Sequence, residues 1–169
     1  MLVDLKCFLF GIDNAGKTAI SLTIKEGKTV SKTIPTLKST ISDMIINNTT
    51  FYIWDMPGQS LLREKWRAHL VNSNMLLYIV DTADNDRFEE AKSEMLKLLS
   101  ENEANNVPLI ICFHKIDLSK AQDNIEEAKS VFDFSSNTER KYYYLQTSIN
   151  DLNTIDELKN KLTSILLNP

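Results

Sequence analysis

This sequence predicts an α/β domain of three layers: a six-stranded, mostly parallel sheet with one antiparallel edge strand, and about five helices covering its two faces. Three observations carry that reading. Apolar runs of strand length alternate with helix-spaced segments along the chain, one Asn47-Asn48 dipeptide separates two β-rich runs, and three of the four glycines stand where strands end. The 169 residues fall in the single-domain range, and no repeat, low-complexity tract or linker divides them, so residues 1–169 are read as one domain.

The first strand is Leu5-Lys6-Cys7-Phe8-Leu9-Phe10. A helix follows from Lys17 to about Glu26, with Gly27 placed as its C-terminal cap. Residues 39–46 and 50–55 flank Asn47-Asn48, a dipeptide that tolerates the left-handed conformations of a tight hairpin, so this pair is antiparallel. Residues 75–80 and 109–113 are apolar throughout, as strands covered on both faces are, and a helix from about Arg87 to Leu99 joins them. Residues 142–146 form the last strand. After it, Ile155, Leu158, Leu162, Ile165 and Leu166 recur at helical spacing.

Composition excludes several classes. A net charge of -4 leaves no basic patch for nucleic acid or anionic lipid. Cys7 and Cys112 each lie inside an apolar run and read as buried thiols in a reducing cytosol rather than as a disulfide. No apolar stretch is long enough to span a membrane, and no secretory leader opens the chain. Residue 2 is Leu and the chain ends Asn168-Pro169, so myristoyl and prenyl signals are not expected.

Gly11, Gly16 and Gly58 sit at strand ends, where the backbone must approach something closely and where sheets of this class bind ligands. Gly11-Ile12-Asp13-Asn14-Ala15-Gly16-Lys17-Thr18 matches G-x-x-x-x-G-K-[ST] after a strand and at the start of a helix. In that context successive backbone N–H groups turn inward and bind phosphate oxygens, assisted by the helix dipole. Asp13, Asn14, Ala15, Gly16, Lys17, Thr18 and Ala19 are therefore the expected phosphate-binding set, with Lys17 on the β- and γ-phosphates and the Thr18 hydroxyl on Mg²⁺.

Thr33-Ile34-Pro35-Thr36 precedes the hairpin, and Thr36 is placed to close over Mg²⁺ and the γ-phosphate. Asp55 ends a strand and is expected to hold a metal-bound water. The Gly58 N–H would meet the γ-phosphate, and Gln59 would orient the attacking water, with Lys17 stabilising phosphate charge as the second catalytic group. Base choice falls to His114-Lys115-Ile116-Asp117. The Asp117 carboxylate can accept two hydrogen bonds from guanine, and Lys115 would lay its methylene stem over the ring.

With these segments in place the chain resembles the small GTPases of the Ras superfamily, and most of all their Arf branch. The phosphate loop, Trp54-Asp55 with Gly58-Gln59, and Arg63, Trp66 and Arg67 downstream are similar to that branch, and the likeness covers essentially the whole chain. Tyr144-Leu145-Gln146-Thr147-Ser148-Ile149-Asn150 resembles the Ras-type base loop, which implies that Ile149 supplies an N–H to guanine and Ser148 steadies the loop. The resemblance implies a P-loop GTPase domain, a GTP/GDP cycle that orders two switch segments, and slow hydrolysis helped by an activating protein. An exchange factor and an effector complete the implied partners.

Several positions depart from the family pattern. His114 stands where the base motif has Asn. Either it donates one bond with a different reach and lowers nucleotide affinity, or it caps the strand end while Asp117 reads the base unaided. His69 is expected to serve packing rather than chemistry. Pro57 replaces a switch glycine and fixes φ, which predicts a stiffer second switch. Four residues precede the first strand where Arf proteins carry an amphipathic helix, and Ser39 and His69 replace two aromatics around Trp54.

The leading expectation is thus a cytoplasmic, monomeric GTP-binding switch and slow GTPase in signalling or trafficking-type regulation. It would reach membranes through a partner and bind no nucleic acid. The alternative is a GTP-bound docking module with negligible hydrolysis, similar to the signal-recognition-particle receptor β-subunit. A metabolite kinase fits poorly, because Asp117 and Thr36 would have no task in it.

Overall fold

The computed structural model describes residues 4–46 and 48–167. Asn47 of the hairpin, Leu2, and the Asn168-Pro169 end, on which expectations were placed, lie outside them. In chain order the elements are β1 (Leu5–Phe10), α1 (Lys17–Glu26), β2 (Thr40–Ile46), β3 (Thr49–Asp55), a 3-10 helix (Ser60–His69), β4 (Met75–Asp81), α2 (Phe88–Leu99), β5 (Leu109–His114), α3 (Ser119–Val131), β6 (Tyr142–Thr147) and α4 (Leu152–Leu167). Strand ends differ from the sequence expectation by about one residue, within the range in which end residues join or leave a ladder.

The sheet order is β2-β3-β1-β4-β5-β6, with β2 and β3 antiparallel and every other neighbouring pair parallel. Asn48 is left-handed (φ 61°), as the hairpin requires. β4 and β5 are interior strands, paired on both edges and covered on both faces by helices, as their apolar runs require; only Asp81, at the end of β4, is part-exposed. β2 lies at an edge, where Ile41 and Ile45 alternate outward.

Two cores sandwich the sheet. On one face Phe8, Phe10, Tyr78, Ile111 and Phe113 pack with Trp66, Met95 of α2 and Ala128 of α3. On the other, Cys7, Leu9, Leu77, Ile79 and Cys112 pack with Ile20 and Ile24 of α1 and with Leu158 and Leu162 of α4. A ten-residue helix such as α1 is marginal alone. Burying Ile20 and Ile24, at about 1.5–3 kcal/mol each, holds it on the sheet and fixes where its N-terminus points. Both cysteines are free and buried.

Against the expectation of about five helices, the described residues hold four α-helices, two three-residue 3-10 turns, Asn85–Arg87 and Asn102–Ala104, and the 3-10 helix Ser60–His69. Three residues per turn stack Arg63 and Trp66 on its inner face, and both are buried.

Candidate functional site

The C-terminal ends of β1, β3, β5 and β6 open into one cleft of about 500 Å³. At its floor the chain turns from β1 into α1 through residues 11–16, with Asn14 and Gly16 left-handed (φ 63° and 102°). Backbone of this kind turns successive N–H groups toward a common centre. Gly16 is required for a second reason: a Cβ there would lie 2.6 Å from His114 Cδ2. The Lys17 side chain is buried and its ammonium donates to the Ile12 carbonyl at 2.8 Å. Burial pulls its pKa down to about 8 against the pull of Asp55 and Asp13, so an anion beside it would offset an under-compensated buried charge.

Beside Lys17 the Thr18 hydroxyl donates to Asp55 Oδ2 at 2.6 Å and lies 2.8 Å from Thr36 Oγ1. Asp55 is buried at the end of β3 and its Oδ1 has no hydrogen-bond partner. Desolvation raises its pKa, opposed by the Thr18 bond and the Lys17 charge. A buried carboxylate oxygen left unmatched is costly, so three oxygen donors converge on a place that favours a cation or a bound water.

At the other end, Asp117 is gripped from both sides. Ser148 Oγ donates to Oδ1 at 2.6 Å and Asn150 Nδ2 donates to Oδ2 at 2.9 Å, and these bonds, Ser148's first, hold the carboxyl below its usual range. Lys115, left-handed at φ 65°, sends its ammonium to the Asn14 carbonyl at 2.7 Å and to the Asp81 carboxylate, tying the base segment to the phosphate loop. Thr29 Oγ1 donates to the Ile149 carbonyl at 2.6 Å and closes the rim.

His114 is buried between these ends. Nδ1 lies 2.9 Å from Thr147 Oγ1 while the opposite ring edge abuts Gly16, so the ring itself joins β6 to the phosphate loop. Burial, reinforced by the Lys115 charge, pushes its pKa down to about 4 from 6.5. The unfolded chain therefore binds the extra proton between these values, and stability is lost as pH falls through that window. Between pH 7 and pH 5 the wild type is expected to lose about 2 kcal/mol more than His114→Asn, read from urea unfolding at both pH values. Equal losses would show that the ring charges freely in the folded state.

The segment after β3 sits directly on the phosphate loop. A Cβ at Gly58 would lie 2.7 Å from the Asp13 nitrogen and from the Ile12 carbonyl carbon. Trp66 Nε1 donates to the Pro57 carbonyl at 2.7 Å and Arg63 Nε to the Gly58 carbonyl at 2.8 Å. Farther out, the Lys6 ammonium lies 4.3 Å from the centre of the Trp54 ring and bonds the carbonyls of His69 and Val71. The His69 ring lies 5.9 Å from that of Trp54, with Nε2 3.5 Å from Ser39 Oγ.

Asp13, Asn14, Gly16, Lys17, Thr18, Ala19, Thr36, Gly58, Gln59, His114, Lys115, Asp117 and Ile149 all line the one cleft. Ala15 is buried away from that wall, Ser148 acts from behind Asp117, and Asp55 acts from behind Thr18. The Asp13 side chain turns to Arg63 and Arg87. Sequence reading assigned no role to Ser31, Leu118 or Asn150, which also line the cleft, nor to Arg87, Glu90 and Thr29. Asn150 lay within a segment already singled out; the others carried no local signal.

A phosphate-loop motif and a carboxylate held at the far end of the same cleft, on a mainly parallel sheet with one antiparallel edge strand, are the architecture of a P-loop GTPase domain. A model of the ADP-ribosylation factor (Arf) family matches residues 2–166, and the chain belongs to that family. The likeness places it in the Arf/Arl branch of the Ras superfamily. ADP-ribosylation factor 3 of Arabidopsis thaliana is 36% identical over 121 residues, 72% of this chain and 66% of that protein. The match thus spans just under two thirds of the plant relative's length. ADP-ribosylation factor-like protein 1 of Drosophila melanogaster is 28% identical over 163 residues, 96% of this chain and 89% of that one. Among solved structures, the Arl6 (BBS3) small GTPase of Trypanosoma brucei with bound nucleotide analogue GppNp superposes with a TM-score of 0.75. At 18% identity over 97% of this chain and 99% of that one, this likeness concerns the fold.

Proposed function

We propose that the cleft binds Mg-GTP and GDP and that the chain hydrolyses GTP slowly, using Gln59 and Lys17. The observation that carries this reading is the Thr18–Thr36–Asp55 cluster beside the buried Lys17 ammonium. Thr18 can donate its proton to Asp55 while keeping lone pairs free, and the unpartnered Asp55 Oδ1 suits a metal-bound water, so the donor set fits Mg²⁺. When bound, that ion would neutralise charge on the phosphates. Thr18 and Thr36 would hold it directly and Asp55 through water.

The chain's own groups do the rest. Backbone N–H groups from Asp13 to Ala19 cradle the phosphates, Lys17 bonds the β- and γ-oxygens, the Gly58 N–H meets the γ-phosphate, and Gln59 orients the attacking water. Asp117, held by Ser148 and Asn150, accepts from guanine N1–H and the exocyclic amine. Ile149 offers its N–H to the base, Lys115 covers it, and His114 fastens the base loop to the phosphate loop. An exchange factor, an activating protein supplying an arginine and an effector are the proposed regulators of a cytoplasmic monomer that reaches membranes through a partner. No helix among the described residues is long and apolar enough to cross a membrane. No contact in the cleft favours the non-hydrolysing docking module.

Purified protein, denatured and chromatographed, is expected to release GDP or GTP near one equivalent. Single-turnover hydrolysis is expected to fall by about 10-fold or more in Gln59→Leu. A protein that carries adenine nucleotide, or whose rate ignores the Gln59 change, would overturn the reading.

A further inference from the structure

The inner face of the 3-10 helix does more than pack. Arg63 Nε donates to the Gly58 carbonyl at 2.8 Å, and its two remaining nitrogens leave the segment altogether. Nη2 reaches Asp13 Oδ1 on the phosphate loop at 2.9 Å, and Nη1 reaches Glu90 Oε1 on α2 at 2.8 Å. Arg87 backs the same two carboxylates, with Nη2 on Asp13 Oδ1 at 2.8 Å and Nε on Glu90 Oε2 at 2.8 Å. Two guanidiniums and two carboxylates form a closed ring of charge-assisted bonds.

The ring differs from an exposed ion pair in where its members sit. The Arg63 side chain is 6% exposed, against 40% for Glu90 and 43% for Asp13. Arg87 first and Arg63 after it hold the Glu90 carboxyl at about 2, so the network stays ionised at neutral pH. Three acceptors in three directions suit a planar guanidinium; a lysine ammonium on the same stem cannot span them.

We propose that Arg63 is a positioning residue for GTP hydrolysis. Through the Gly58 carbonyl it sets the height of Gly58 and Gln59 over the phosphate loop, and through Asp13 and Glu90 it fixes that height to two elements that do not belong to the switch. Trp66, one turn on, holds the preceding Pro57 carbonyl, so consecutive peptide units are fastened from one face. This inference rests on the GTPase reading above and adds to it a residue that touches neither phosphate nor water.

The test is single-turnover hydrolysis at saturating GTP, together with GDP release, on the full chain. Arg63→Met is expected to slow hydrolysis about 10-fold or more, while GDP release changes by less than about threefold. Arg63→Lys recovers little of the loss. Gln59→Leu/Arg63→Met is expected to be no slower than Gln59→Leu alone, because both act on the same water. Amide exchange in the GDP form should rise over residues 58–62 and stay unchanged in β4 and β5. Glu90→Gln, at the solvent side of the ring, provides a milder variant if Arg63→Met does not fold, with hydrolysis slowed and GDP release unaltered.

Parallel losses in hydrolysis and GDP affinity, or losses that multiply in the double variant, would overturn the proposal. A wild type that cleaves GTP and an Arg63→Met that cleaves it as fast would sink this inference alone. A wild type that never cleaves GTP would take the GTPase reading down with it.

Discussion

Replacing Asp117 by asparagine is expected to invert the base preference of the cleft from guanine to xanthine, with GTP affinity falling by about 10³- to 10⁴-fold. Guanine presents two donors on one edge, N1–H and the exocyclic amine, and a carboxylate accepts both. Asparagine offers one acceptor and one donor, so its amide nitrogen would face the amine with no bond to make. Xanthine carries a carbonyl at that position and restores the match. The side chains that grip Asp117 permit the exchange: Asn150, now donating to Asp117 Oδ2 at 2.9 Å, can turn its own amide to present oxygen, while Ser148 keeps its bond to Oδ1. Asp117→Ala, by contrast, is expected to lose both bases. Competition of GTP and XTP against a fluorescent nucleotide measures both variants, and an unchanged preference in Asp117→Asn would place base reading elsewhere.

What the sequence showed and hid follows from what each kind of contact leaves in the chain. Burial leaves a pattern: the unbroken apolar runs of β4 and β5 marked strands covered on both faces, and the Asn47-Asn48 dipeptide marked the hairpin, where Asn48 takes a positive φ. The phosphate loop was legible because its spacing, its glycines and its place between strand and helix agree. Polar contacts between distant segments leave no such trace. Arg87 and Glu90 read as an ordinary pair three residues apart at a helix start, and nothing local points either of them at Asp13. Thr29 meets Ile149 across 120 residues, and only the fold brings them together.

His114 shows the same limit in one residue. Sequence left two roles open, a weaker donor or a strand-end cap. The ring turns out to be bonded to Thr147 and pressed on Gly16, so it links the base loop to the phosphate loop by shape as much as by hydrogen bonding. The 3-10 form of Ser60–His69 was hidden because a stripe repeating every three residues is also compatible with one α-helical face.

Gly58→Ala is expected to cost about 10²-fold in single-turnover hydrolysis while leaving the fold and GDP binding nearly intact. A Cβ at this position would collide with the Lys17 ammonium and would stand 2.7 Å from both the Asp13 nitrogen and the Ile12 carbonyl carbon. Lys17 can swing its chain end aside. The phosphate-loop backbone cannot, because β1 and α1 hold it from either side and their cores are closed. The strain is therefore relieved by lifting the 56–59 segment, and a displacement near 1 Å at Gly58 and Gln59 suffices to misplace both the γ-phosphate donor and the water. GDP has no γ-phosphate; the loop amides and Asp117 on which it depends stay in place, and only the flexible end of Lys17 gives way. The variant should consequently favour GDP over GTP, which separates it from Gln59→Leu, where the Gly58 donor is untouched and GTP affinity persists. Hydrolysis at the wild-type rate in Gly58→Ala would mean that this contact does not set the spacing between the second switch and the phosphate loop.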